Sequence, residues 1–361
     1  MAGAGISLAQ MAGVIHIIGA DTSADMLRQA AALPGEQDTI VSIGPVRRGE
    51  GFDRDTVSIR APLGSGTLAG LQLSRFPNDA ELLHAWSPSA ATTAQWAARG
   101  RPILLSLPHL RGVHQADIAI SGCFDGLWTL TTPTDPQRRV LIALGLDPKR
   151  VFVLPPTAQY HGNPNERRAE IRNELGLDDR HFLLAAAGEM VHANGHKQAC
   201  WAHAMARILT DHTRLVFPGS GPARRAIETF ARSTGHIGEI FFTGERLDPS
   251  DVLTAADAAI FLHRHDCGVG ALAGAMACGL PTLASGRPEI ADCAPDRRAA
   301  LLSPPGDMRR AADDLLTLAR DTELQKTLGR EASILAAEKF APDVTRTRLR
   351  TIYSTVLSGR S

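Results

Sequence analysis

Gly268-Val269-Gly270-Ala271-Leu272-Ala273-Gly274-Ala275-Met276-Ala277-Cys278-Gly279-Leu280-Pro281-Thr282-Leu283-Ala284 reads as a glycine-eased entry, a helix of small residues and, past Gly279, a short apolar strand. Ala271, Ala273, Gly274, Ala275 and Ala277 allow such a helix to lie close against a sheet. The unpaired N–H groups of its first turn make its start a potential anion site. A glycine-eased packing turn explains the same residues, and the two readings are compatible.

The alternation of short apolar runs with helix-length segments continues in both directions, as expected of parallel βαβ units. Upstream, strands are predicted at Val14–Ile18, Thr39–Ile43, Thr56–Ile59, Leu82–Ala85, Ile103–Leu107, Ile118–Ile120 and Val151–Leu154, with helices at Ser23–Leu33 and Ser89–Arg99. Pro155-Pro156 and the polar stretch Gln159–Arg167 read as a linker. A second set of strands follows at Phe182–Ala187, Arg214–Phe217, Ile240–Thr243, Ala258–Leu262, Pro281–Ala284 and Ala300–Leu302, with helices that include Gln198–Leu209, Arg224–Ser233 and Leu272–Cys278. The expected fold is α/β, with two doubly wound parallel-sheet domains at 14–156 and 169–340 and a closing helix at 343–357. Two such domains place the ligand site in the cleft between their carboxyl-edge loops.

Bulk properties narrow the function. Lys plus Arg equals Asp plus Glu at 38 each, so no overall field would hold nucleic acid. Hydrophobic residues at 44% and charged residues at 21% are those of a globular chain with buried cores. The five cysteines are scattered without a Cys-x-x-Cys pair, which points to a reducing compartment. No basic leader or long apolar run is visible, so a cytoplasmic location is expected, with peripheral membrane contact left open. Met1-Ala2-Gly3 recurs as Met11-Ala12-Gly13, and the opening residues read as a dispensable extension or a start-site artefact.

Gly188, Gly219-Ser220-Gly221-Pro222, Ala275-Met276-Ala277-Cys278-Gly279-Leu280-Pro281, Pro288-Glu289-Ile290 and Pro304-Pro305-Gly306-Asp307 occur in the order and at the spacing of retaining family 4 glycosyltransferases. The chain resembles that family over about residues 170–357, and before that only in layout. The resemblance implies the GT-B architecture, with its final helix, near Tyr353, crossing back to the N-terminal domain. It also implies transfer of a sugar from a nucleotide-diphosphate sugar to a glycan, lipid or small-molecule acceptor, with retention of configuration and without a metal or separate cofactor. The donor contacts it implies are Gly188, Gly219, Gly221, Gly268 and Gly270. Asp266 falls on the first acid of the family's Glu-x7-Glu signature, and His109 falls near the place of an acceptor-side histidine. A merely solvated loop histidine explains His109 as well.

The chain departs from the family at charged positions. Glu189 and Asn194 stand where the family carries an Arg and a Lys on the donor diphosphate, and Gly274 stands where a Glu meets the ribose. A diphosphate in a cleft needs a cation, because a helix N-terminus supplies only about half a unit charge. Lys197 and Arg264 are the candidates. These substitutions equally suit a catalytically silent GT-B scaffold that binds a sugar, nucleotide or protein. In the first half, Asp21 and Thr22 follow the first strand and read better as helix caps than as donor contacts. Asp53-Arg54-Asp55 reads as a polar turn rather than a metal motif, and no zinc-type cluster or phosphate-binding Gly-x4-Gly-Lys loop is present.

Overall fold

The computed structural model describes residues 13–19, 22, 24–34, 38–43, 56–59, 69, 73, 80–110, 128–158, 164–244, 249–266 and 268–358. The chain divides into two compact units, one formed by Met1–Pro156 with Pro342–Ser361 and the other by Thr157–Ala341.

The first unit holds a seven-stranded parallel sheet in the order β3-β2-β1-β4-β5-β6-β7. Its strands are β1 Val14–Ile18, β2 Thr39–Ile43, β3 Thr56–Ile59, β4 Leu82–Ala85, β5 Ile103–Ser106, β6 Trp128–Thr132 and β7 Val151–Val153. Helices cover both faces, so β1, β4, β5 and β6 are buried along their whole length. The predicted strand at Ile118–Ile120 and the Asp53-Arg54-Asp55 turn lie outside the described residues.

β6 and the helix Asp135–Ala143 behind it were not anticipated from sequence. Trp128-Thr129-Leu130-Thr131-Thr132 carries three hydroxyls through a buried strand, and two of them meet partners. Thr131 Oγ1 lies 2.7 Å from Ser106 Oγ on β5, and Thr132 Oγ1 donates to Thr134 O at 3.1 Å. Thr22 Oγ1 accepts from Gly19 N at 3.0 Å and so closes its own turn ahead of the helix Ala24–Ala32; Asp21 lies outside the described residues.

A polar network runs through this core. Trp86 Nε1 donates to His16 Nδ1 at 3.1 Å, which leaves His16 Nε2 to donate to Asp38 Oδ2 at 3.3 Å. His84 bridges Ser106 Oγ at 2.8 Å and the Tyr353 hydroxyl at 2.7 Å. Burial, and then neighbouring His16, hold the His84 pKa well below the usual range. Tyr353 belongs to the last helix, Pro342–Ser358, which buries Leu349, Ile352 and Tyr353 against Val14, Ile18, Leu82 and Trp86. That helix starts afresh because Pro342 removes an N–H and forces Ala341 to extended geometry, φ −57° and ψ 139°, which ends the preceding helix Thr322–Phe340.

The second unit holds a six-stranded parallel sheet in the order β10-β9-β8-β11-β12-β13. Its strands are β8 Phe182–Ala185, β9 Thr213–Phe217, β10 Ile240–Phe242, β11 Ala258–Phe261, β12 Thr282–Ser285 and β13 Ala300–Ser303. The stretch read as linker is helical from Pro164, in the helix Pro164–Glu174. Its composition is polar because its arginines answer backbone. Arg168 Nη1 donates to Thr254, Ala255 and Ala256 carbonyls at 3.2, 2.9 and 2.8 Å, at the open end of the helix Pro249–Ala255. Arg172 donates to Asp257 Oδ2 at 3.1 Å and to the Asp178 and His181 carbonyls at 2.8 and 2.7 Å. Carbonyls that a helix end leaves unpaired thus find charged donors.

Candidate functional site

The strand order of the second unit reverses between β8 and β11, so the loops leaving these two strands diverge at a topological switch point, where open α/β sheets bind ligands. The loop after β8 runs through Gly188 to Gly195, where the helix His196–Arg207 begins. The loop after β11 runs from Leu262 to Val269, where the helix Gly270–Ala277 begins.

Close backbone approach explains the glycines. Gly188 has φ +113°, and a Cβ placed there would lie 3.5 Å from Ala271 Cβ and 3.8 Å from Asn194 Nδ2. Gly188 therefore faces the first turn of the helix Gly270–Ala277. A Cβ on Gly219 would lie 2.5 Å from the Gly188 carbonyl oxygen, and one on Gly221 2.7 Å from the Met190 carbonyl. Two backbone bonds tie these segments together, Met190 N to Ser220 O and Ala223 N to Met190 O, both 2.8 Å. Gly195, at φ +73°, packs on the Leu262 carbonyl, and Arg264 N donates to Ala193 O at 3.1 Å. Three loops, after β8, β9 and β11, thus form one interlocked edge.

The N-cap residue Val269 of the helix Gly270–Ala277 offers no side-chain hydrogen bond, and the first-turn N–H groups lack intrahelical acceptors. Gly270 opens that helix and Gly268 precedes it. Asp266 is half-buried on the same loop, and Arg264 is exposed there with no carboxylate partner among the described residues. Lys197 points elsewhere: its ammonium lies 5.8 Å from the centre of the Phe230 ring. His109 is half-buried on the loop leaving β5, in the first unit. Among the substituted positions, Asn194 Nδ2 donates to Glu189 O at 2.9 Å and so staples the loop. Gly274 sits in mid-helix, and a Cβ there would lie 3.8 Å from Leu253 Cδ1.

Sequence reasoning missed three residues at this edge. His196 is buried at the start of its helix with Nδ1 unpartnered among the described residues, and backbone hydrogen bonding at Ala186 and Gly188 favours its protonated form. Burial outweighs those bonds and lowers its pKa to about 4. His263, at the end of β11, is lowered to about 3, first by burial and then by His196 and Arg287. Arg287 donates from Nε to Glu289 at 2.6 Å and from Nη1 to Arg264 O at 3.4 Å, which adds the loop after β12 to the cluster. Its only sequence signal was its place beside Pro288-Glu289-Ile290. Both histidines are neutral near pH 7, so the positive charge here resides on Arg264 and on Arg287, the latter answered by Glu289.

Residues 181–321 match the family model of glycosyl transferases group 1. The matched segment contains all three interlocked loops. Within the curated proteins, the N-acetyl-alpha-D-glucosaminyl L-malate synthase of Bacillus anthracis is 26% identical over 155 residues, which is 43% of this chain. The matched stretch takes in 41% of that relative's length. Among solved structures, Anabaena Alr3699/HepE in complex with UDP and glucose superposes with a TM-score of 0.79 at 14% identity, over 94% of this chain and 99% of that one. The sucrose-phosphate synthase of Thermosynechococcus elongatus gives 0.72 at 16% identity, over 96% and 100%. The fold is GT-B, with two Rossmann-like units. Among the described residues, no group of His, Cys, Asp and Glu has the arrangement of a metal site, and no helix is long and apolar enough to cross a membrane.

Proposed function

We propose that the chain is a glycosyltransferase that takes a sugar from a nucleotide-diphosphate sugar and passes it to an acceptor held by the N-terminal unit, with retention of configuration, without a metal and in the cytoplasm. The observation that carries this reading is the approach of Gly188 to the first turn of the helix Gly270–Ala277, 3.5 Å from Ala271 Cβ, at the switch point of the sheet. A helix start without a side-chain bond from Val269, a side-chain-free wall and Arg264, which has no carboxylate partner among the described residues, together suit a diphosphate. The group 1 match over this segment supports the same reading, as does the fold shared with a protein solved with UDP and glucose. Catalysis then rests on positioning and on electrostatic stabilisation of the departing diphosphate.

The test is donor-dependent sugar release or transfer, measured against a panel of nucleotide sugars with a chelator present, with the product anomer read by NMR. Turnover that requires an added metal, or an inverted product, removes that part of the reading. A second reading, a silent GT-B scaffold that still binds a sugar, nucleotide or protein, is favoured by Glu189, Asn194 and Gly274. Thermal shifts with UDP, GDP and ADP separate the two when combined with turnover, since a ligand at 100 times its Kd adds about 2.7 kcal/mol. Binding without turnover leaves the scaffold, and neither binding nor turnover removes the enzyme.

A further inference from the structure

We propose that the outer face of the second unit formed by the helices His196–Arg207 and Arg224–Ser233 docks on an anionic lipid surface. A groove of about 380 Å³ lies between these helices, lined chiefly by Trp201, Met205, Ile208 and Phe230. Trp201 is 53% exposed, Ile208 80% and the adjoining Leu209 64%. Single exposed apolar residues are ordinary, but large ones gathered around a groove mark a contact surface.

Charge decides what the groove meets. Residues 196–240 contain six Lys and Arg against three Asp and Glu, in a chain that is neutral overall. The acids are answered locally. Glu228 takes Arg224 Nε at 2.8 Å, Glu239 takes Arg207 Nη2 at 3.0 Å, and Asp211 lies in the field of Arg180 and Arg214. Arg225 and Arg232 are exposed and carry no carboxylate partner among the described residues. They lie seven residues apart on one stripe of their helix, next to the stripe that carries Phe230 and Ser233 into the groove. Lys197 adds its ammonium above Phe230.

The result is an apolar groove with an uncompensated basic border, including an exposed tryptophan, which is the make-up of an interfacial lipid-binding surface. A second copy docked face to face would set the same cations against each other. Long arginine side chains can lay their stems on acyl chains and keep their charge at the headgroups.

The experiment is co-sedimentation of the full chain with vesicles of phosphatidylcholine alone or mixed with phosphatidylglycerol. The chain is expected to pellet with the mixed vesicles, and less so as salt is added. At about fivefold per basic group, Arg225→Gln with Arg232→Gln lowers partitioning on the order of 30-fold. Ile208→Ser lowers it on the order of tenfold by removing apolar burial. Both variants are expected to keep the wild-type melting temperature, because neither position is buried. Failure of wild type to pellet, equal pelleting on pure phosphatidylcholine, or wild-type partitioning by both folded variants overturns the proposal. So does a concentration-dependent dimer, without vesicle binding, that Ile208→Ser dissolves.

Discussion

Gly274 gives two separable outcomes at one position. It lies in the middle of the helix Gly270–Ala277 without positive φ, and the nearest atom to an added Cβ is Leu253 Cδ1 at 3.8 Å, an ordinary contact. Gly274→Ala therefore adds no clash and lowers the entropy of the unfolded chain, and should stabilise the second unit by about 0.5–1 kcal/mol. That corresponds to a rise of roughly 1–4 °C in its thermal transition. Gly274→Glu places a carboxylate where the resembled family meets the donor ribose. One charge-assisted hydrogen bond is worth about 1.5–3 kcal/mol, so UDP should bind roughly tenfold to a hundredfold more tightly. Differential scanning calorimetry reads the first effect and titration calorimetry with UDP the second. A lower melting temperature for Gly274→Ala would refute the packing argument. A folded Gly274→Glu with unchanged or weaker UDP affinity would refute the placement of the ribose beside this helix.

Arg264→Ala should weaken UDP, GDP or ADP binding by more than tenfold while Lys197→Ala leaves it within about twofold, since only Arg264 stands on the interlocked loops; equal effects in titration calorimetry reverse that assignment. Arg172→Ala removes a buried guanidinium from Asp257 and from three carbonyls and should cost about 3–5 kcal/mol in urea unfolding. A loss below about 1 kcal/mol would show that water replaces it. Acid should destabilise the second unit from pH 6.5 downward. His196 and His203 are lowered by burial to about 4 and His263 to about 3, so the unfolded chain binds protons first. Each histidine then contributes a loss of about 1.4 kcal/mol per pH unit, levelling off once the folded state protonates. Flat stability between pH 6.5 and 4.5 would contradict their buried neutral state.

The β8 to β13 array was legible because buried parallel strands are written as short apolar runs, as in Phe182–Ala185 and Ala258–Phe261. β6 was not, because its threonines resemble a surface strand until the partners of Thr131 on β5 and of Thr132 at Thr134 are known. The helix Pro164–Glu174 was hidden for the same reason, as its arginines bury against carbonyls more than 80 residues away. His84 bonds Tyr353 across 269 residues, and no local pattern announces such a pair. At the site, glycine spacing pointed to the interlocked edge. The directions in which Lys197 and Arg264 point were not legible, because spacing carries none. Helical phase sets that of Lys197, which lies four residues before Trp201, on the stripe that leads to Ile208.

The final helix has a consequence for the order of assembly during synthesis. The second unit is one continuous segment, Thr157–Ala341, and is translated whole before Leu349, Ile352 and Tyr353 are made. Until those three side chains emerge, Val14, Ile18, Leu82 and Trp86 lack part of their cover, and His84 lacks its phenol partner. The part translated first is thus finished last, against the usual vectorial order. A chain released just past Ala341 carries the whole Thr157–Ala341 segment but an N-terminal unit with an open apolar face, and chaperones that read exposed hydrocarbon would engage it there.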